Sequence, residues 1–131
     1  MKRVWTAVLI LLFLLTGCGE KTITADMENS YQQISQETAK QMMDEQTVII
    51  LDVREQDEYD GGHIVDAVLL PVGTIDAETA AAVIPEKDSI VLVYCRSGNR
   101  SKTASAALVA LGYTQIYEFG GINDWPYDIE K

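Results

Sequence analysis

Basic residues, histidine and cysteine are the scarce components of this chain. Ten Lys and Arg stand against twenty Asp and Glu, giving a net charge of −10. So acidic a surface argues against nucleic-acid binding and against electrostatic docking on anionic lipid. There is a single histidine, His63, and there are two cysteines, Cys18 and Cys95. No metal or organic cofactor is indicated. A long hydrophobic run is missing as well. The apolar stretch at 4–15 is shorter than the roughly 20 residues that a membrane-spanning helix needs. With Lys2 and Arg3 ahead of it and small residues behind, it reads as an export signal over 1–17. Internal repeats and low-complexity segments are absent too, and 131 residues leave room for one domain.

Leu15-Thr16-Gly17-Cys18 resembles the lipobox of bacterial lipoproteins. The resemblance implies cleavage ahead of Cys18 and diacylglyceryl attachment to its sulfur, and two acyl chains suffice for stable anchoring. The expected mature protein is extracytoplasmic and lipid-anchored to the bacterial membrane, with 18–33 as a polar tether and 34–131 as the domain. Losing Lys2 and Arg3 takes its net charge from −10 to −12. With Cys18 carrying lipid, Cys95 is the remaining thiol and no internal disulfide can form. An unpaired thiol on an exported protein points to reactivity.

From Ile34 onward the apolar pattern becomes regular. Ser35 is a plausible N-cap for a short helix that carries Ala39, Met42 and Met43 into a core. The β-branched run 47–53 predicts a strand buried on both faces of a parallel sheet, as does 89–94. Shorter strands are expected at 67–70, stopped by Pro71, and at 115–119. A helical turn is expected at 56–60, ended by Gly61-Gly62. Asp76 can cap a helix over 77–84 with Pro85 beyond it, and an alanine-rich helix over 100–111 stops at Gly112. Strands alternating with helices imply an α/β fold, a central and mostly parallel sheet with helices on both faces.

The stretch Tyr94-Cys95-Arg96-Ser97-Gly98-Asn99-Arg100-Ser101 joins a strand to a helix, the place where open α/β sheets bind ligands. Gly98 permits backbone angles closed to other residues, so successive N–H groups can point inward as a nest. The first N–H groups of the helix are unpaired and its positive dipole end faces the same spot. Arg96 and Arg100 add two cations, so an acidic protein acquires a local anion site lined by Arg96, Ser97, Gly98, Asn99 and Arg100. A thiol at its base should be acidified, and thiolate is the nucleophilic form. Cys95 is therefore the expected nucleophile, with no base partner required.

Leu51-Asp52-Val53-Arg54-Glu55, Gly62-His63-Ile64, Cys95 to Arg100, Gly112-Tyr113, and Gly120-Gly121 followed by Trp125 together resemble the single-domain rhodaneses, from about Ile34 to the end. The resemblance implies the rhodanese-like fold and a persulfide cycle. In that cycle Cys95 takes a sulfane sulfur from a small anionic donor such as thiosulfate and passes it to cyanide or a thiol acceptor. Arg96 and Arg100 would orient the donor. The nearest rivals are phosphatases and arsenate reductases of the Cys-x5-Arg type, whose longer loop surrounds a tetrahedral oxyanion. Here the spacing is Cys-x4-Arg, and Tyr94 stands where those phosphatases often carry histidine. That disfavours them, and the runner-up reading is an extracytoplasmic persulfide carrier or binding module without significant turnover.

Asp52 and Arg54 lie at the same sheet edge as Cys95, where they can bond the loop or each other; a supporting structural role is expected. His63 reads as a turn and packing residue, Trp125 and Tyr127 as closing the core, and 55–60 as a solvated acidic face. Pro126 directly follows Trp125, so the family's usual final helix is expected to be shortened.

Overall fold

The computed structural model describes residues 30–131. The expected leader over 1–17, the lipid-bearing Cys18 and most of the tether lie outside the described residues. The elements in chain order are β1 (Gln32–Gln33), α1 (Gln36–Glu45), β2 (Ile49–Asp52), α2 (Gln56–Asp60), β3 (His63–Ile64) and β4 (Val68–Leu69). A 3₁₀ turn at Val72–Thr74 follows, then α3 (Ala77–Val83), β5 (Ile90–Cys95), α4 (Asn99–Ala110) and β6 (Gln115–Gly121). The chain closes with a 3₁₀ turn at Ile122–Asp124 and β7 (Ile129–Glu130).

Five strands form a parallel sheet in the order β1-β6-β5-β2-β4. The β-branched runs build its two central strands, and their alternate residues divide between two cores. Leu51, Val91 and Val93 pack with Ala80 of α3, the following Ile84, and Ala104 and Leu108 of α4. Ile50, Leu92 and Tyr94 pack on the other face with Ala39, Met42 and Met43 of α1. Burying each large aliphatic chain fully contributes roughly 1.5–3 kcal/mol, which makes this two-sided sheet the main source of stability. Ser35 caps α1 through the Thr38 N–H, and Asp76 caps α3 through the Glu78 and Thr79 N–H groups, as the spacing predicts.

Three departures bear on the site. Gln32–Gln33, expected at the end of the tether, pair with Tyr117 and Glu118 and extend the sheet. A two-residue polar strand carries no alternation to reveal it, and exposed glutamines suit a sheet edge. His63–Ile64, expected as a turn, pair antiparallel with Ile129–Glu130, so the short tail ends as a strand. Tyr127 is 37% exposed, not core; it meets Trp125 edge-on at 4.8 Å, while Trp125 itself packs against Phe119.

The chain leaves β2 toward β4 and leaves β5 toward β6, on opposite sides. Neighbouring β2 and β5 therefore flank the point where strand order reverses. A crevice forms outside the carboxyl ends of such strands.

Candidate active site

Cys95 closes β5 at that crevice and is 1% exposed. Its register with Gly121 carries an irregularity after Val93, so the strand end is lifted out of regular pairing. Gly98 has φ +110°, the left-handed region that favours glycine, and serves as the N-cap of α4. Its N–H turns back to donate to Cys95 Sγ at 3.1 Å, and Cys95 Sγ lies 3.4 Å from Ser101 Oγ. Burial alone pushes the Cys95 thiol up. Hydrogen bonding outweighs it: the Ser101 hydroxyl and the backbone N–H groups of Ser101, Gly98 and Ser97 hold the thiol below its ordinary value. The helix therefore begins at Asn99, one residue earlier than expected, and its first amides serve the sulfur.

The loop rests on the Gly120-Gly121 pair. A Cβ on Gly121 would lie 2.0 Å from Arg96 O and 2.6 Å from Ser97 N, so only glycine admits the loop at this height. The Asn123 N–H donates to Arg96 O at 3.1 Å, fixing the loop from the other end. Below it, Ser101 Oγ also lies against Glu118 Oε2, so its one hydrogen serves either the carboxylate or the sulfur; that oxygen also accepts the Gly120 N–H at 3.0 Å. Glu118 is 3% exposed and its other oxygen accepts from Gln33 Nε2 of the edge strand.

The two loop arginines diverge. Arg96 is exposed and lines a groove of about 340 Å³ together with Glu58, Asn123 and Ile129. Arg100 lies in a fork on Glu58 of α2, its two terminal nitrogens 2.8 and 3.0 Å from the carboxylate oxygens. Bonding to Arg100 lowers Glu58 to about 2. The acidic stretch 55–60 is thus not merely a solvated face. Ser97 and Gly98 border a second groove of about 580 Å³, which Lys102 and Gln36 also line. A further cavity of about 390 Å³, lined by Met43, Ile50 and Trp125, includes none of the loop residues.

Asp52 and Arg54 bond each other. Arg54 Nη2 and Nε donate to the Asp52 carboxylate at 2.8 and 3.0 Å, and Nη2 also donates to Gly62 O at 2.8 Å. The Tyr94 hydroxyl donates to Asp52 at 2.6 Å and accepts the Ile64 N–H at 3.0 Å. Burial first, then that bond, holds the Tyr94 phenol well above its usual range. His63 stacks on Tyr59 with ring centres 3.7 Å apart, and its Nδ1–H donates to Tyr59 O at 2.9 Å. These contacts place His63 among packing residues.

Sequence reasoning passed over Glu58, Ser101, Tyr94 and Glu118 as site residues. Two signals were present. Glu55 and Glu58 have capping-box spacing, and Glu118 is the lone carboxylate of its strand.

Fold and site together define a parallel α/β domain with a hydrogen-bonded cysteine in an amide-lined loop at its switch point. A family profile described as Rhodanese-like domain matches residues 35–127. The thiosulfate sulfurtransferase GlpE of Coxiella burnetii is 33% identical over 96 residues, covering 72% of this chain and 87% of that protein. A solved structure described as rhodanese with anions from E. coli aligns with TM-score 0.60 and 30% identity, over 65% of this chain and 99% of that one. The rhodanese-like domain of the Alr3790 protein from Anabaena aligns with TM-score 0.68 and 26% identity, over 75% and 77% of the two chains. The chain belongs to the rhodanese-like domain family.

Proposed function

We propose that this protein is a sulfurtransferase that moves a sulfane sulfur from a donor such as thiosulfate to cyanide or a thiol, through a persulfide on Cys95. The observation that carries the reading is the environment of Cys95 Sγ, held by the Gly98 N–H and beside Ser101 Oγ, with its thiol below the ordinary value. The name borne by the Coxiella relative supports it.

In the first half-reaction the Cys95 thiolate attacks the sulfane sulfur of thiosulfate. A Cys95 S–S bond forms, the donor's S–S bond breaks, and sulfite leaves with the bonding pair. The product Cys–S–S⁻ keeps one negative charge, which the loop amides stabilise as they did the thiolate. Cyanide then attacks the outer sulfur and leaves as thiocyanate, returning the thiolate; a thiol acceptor leaves as a hydropersulfide. Arg96 meets the anionic donor at the mouth. We place this activity outside the cytoplasm, on a protein anchored by lipid at Cys18, a reading supported by the charge, apolar length and lipobox of residues 1–18.

Intact-mass spectrometry of the detergent-purified chain, treated with thiosulfate and then cyanide, tests the cycle. Wild type should gain one sulfur atom and lose it to cyanide as thiocyanate, and Cys95→Ser should gain none. A stable adduct without thiocyanate would replace the enzyme with a sulfur carrier. The anchor is tested separately by acyl labelling: a Cys18→Ala chain that still fractionates with membranes would defeat it.

A further inference from the structure

Two observations on the loop's charge do not follow from the cycle. First, Arg100 does not stand free beside the sulfur. Its guanidinium is committed to Glu58 through two bonds of 2.8 and 3.0 Å, the planar fork geometry that makes Arg–carboxylate pairs strong and directional. The charge of Cys95 still raises the Arg100 pKa, after the larger effect of Glu58, so the pair lies within electrostatic reach of the reacting sulfur. Second, neither groove beside the loop is strongly cationic. Arg96 and Arg54, the latter paired with Asp52, share one groove with Asp57 and Glu58, and Lys102 shares the other with Glu37, Glu118 and Asp124. The protein around them carries a net charge of −10.

We propose that Glu58 is a specificity-determining residue: by holding Arg100, it halves the cationic charge the loop offers and biases the site toward sulfane donors of single negative charge over the thiosulfate dianion. The inference rests on the persulfide reading above and names the donor class for that site. The donor chemistry is that of a thiosulfonate or a small hydropersulfide. With a thiosulfonate, the Cys95 thiolate attacks the sulfane sulfur and the S–S bond breaks. A sulfinate leaves with the electron pair, and total charge stays at two negatives throughout. With thiosulfate the same step gathers three negative charges at a mouth whose second arginine is already neutralised. Coulomb energy scales with that charge product.

Glu58 has a further property that makes the idea testable. Its Oε1 accepts the Glu55 N–H at 3.0 Å, closing the capping box of α2. Glutamine fills this position of the motif as well as glutamate. Glu58→Gln should therefore keep the helix start and, although the retained Oε1 can still accept from Arg100 Nη1, leave the Arg100 charge without its counter-charge.

The test compares kcat/KM for thiosulfate and for methanethiosulfonate, its singly charged methyl analogue, on the detergent-purified chain at low ionic strength. Intrinsic donor reactivities differ, so the quantity read is how the ratio changes between variants. Glu58→Gln should raise the thiosulfate to methanethiosulfonate ratio by roughly threefold to tenfold, the size expected for one added charge a few ångströms from the donor in a partly screened site. Arg100→Gln, which leaves the Glu58 charge unpaired at the mouth, should lower it. Arg100→Lys keeps the cation but cannot fork on the carboxylate, and should move the ratio in the same direction as Glu58→Gln. This variant carries the test should Glu58→Gln not fold. A ratio unchanged in Glu58→Gln and Arg100→Lys, with both donors still active, would reduce the pair to a structural brace and overturn the inference alone. Absence of Cys95 persulfide with either donor in wild type would overturn the sulfurtransferase reading and this inference with it.

Discussion

The carboxyl ends of β2 and β5 lie side by side, with Asp52 in register with Tyr94, yet they are finished in opposite ways. At the end of β2 every strong polar group has a partner. Asp52 and Arg54 bond in a fork, Gly62 O and the Tyr94 hydroxyl complete the set, and both charged residues are buried. At the end of β5, one position on, the backbone leaves the sheet and turns its amides toward a sulfur. A fully paired buried charge network rigidifies the structure around it, because each member would be costly if left alone. A nest of N–H groups around one polarizable atom stores its binding capacity for an anion that comes and goes. The Tyr94 hydroxyl ties the first end to the second, and the proposed chemistry resides at the second.

This contrast can be broken from either side. Asp52→Asn should have the largest effect, leaving the buried Arg54 charge without its counter-charge; we expect a loss of about 3–5 kcal/mol in urea unfolding. The fraction still folded should transfer sulfur, and loss of transfer without loss of stability would move Asp52 into the chemistry. Gly121→Ala should act on the β5 end, pushing the loop away from its seat. A displacement near 1 Å is expected to cost transfer on the order of 100-fold, checked against unfolding curves that should move much less. Ser101→Ala removes a hydrogen bond that holds the Cys95 thiol down. The thiolate is the reacting form and exists above the thiol pKa, so its loss should move the pH profile of alkylation and of transfer to higher pH. Activity would be deficient on the acid side and recovered on the alkaline side; an unmoved profile would assign the acidification to the amides alone. The smallest effect is expected for His63→Gln, which loses the stack on Tyr59 and the bond to its carbonyl. About 1 kcal/mol of stability should go with sulfur transfer intact, and a collapse of turnover in a folded protein would give His63 a role that its packing does not suggest.

How legible these features were follows from how local their causes are. The strands at the centre of the sheet, the caps Ser35 and Asp76 and the cysteine loop could be read directly. Each depends on residues within a few positions: β-branched runs, a side-chain oxygen near free amides, a glycine between a strand and a helix. The proximity of Asp52 and Arg54 to the loop could also be anticipated, since both strands end at one sheet edge, but their partner Tyr94 could not. Its hydroxyl reaches Asp52 across 42 residues of sequence.

Glu58 and Glu118 show the other side. In the sequence one is a member of an acidic run and the other the lone carboxylate of its strand. The tertiary structure makes the first the counter-ion of Arg100 and the second the acceptor beneath Ser101. The charges read from the sequence are a sum over residues, whereas the field at Cys95 depends on which charges are paired, and pairing is decided by distance. The sequence by itself placed a cysteine at a strand end in a loop that acidifies it. Packing of α2 against the loop decided how much positive charge surrounds it, because Coulomb energy depends on where Glu58 comes to rest.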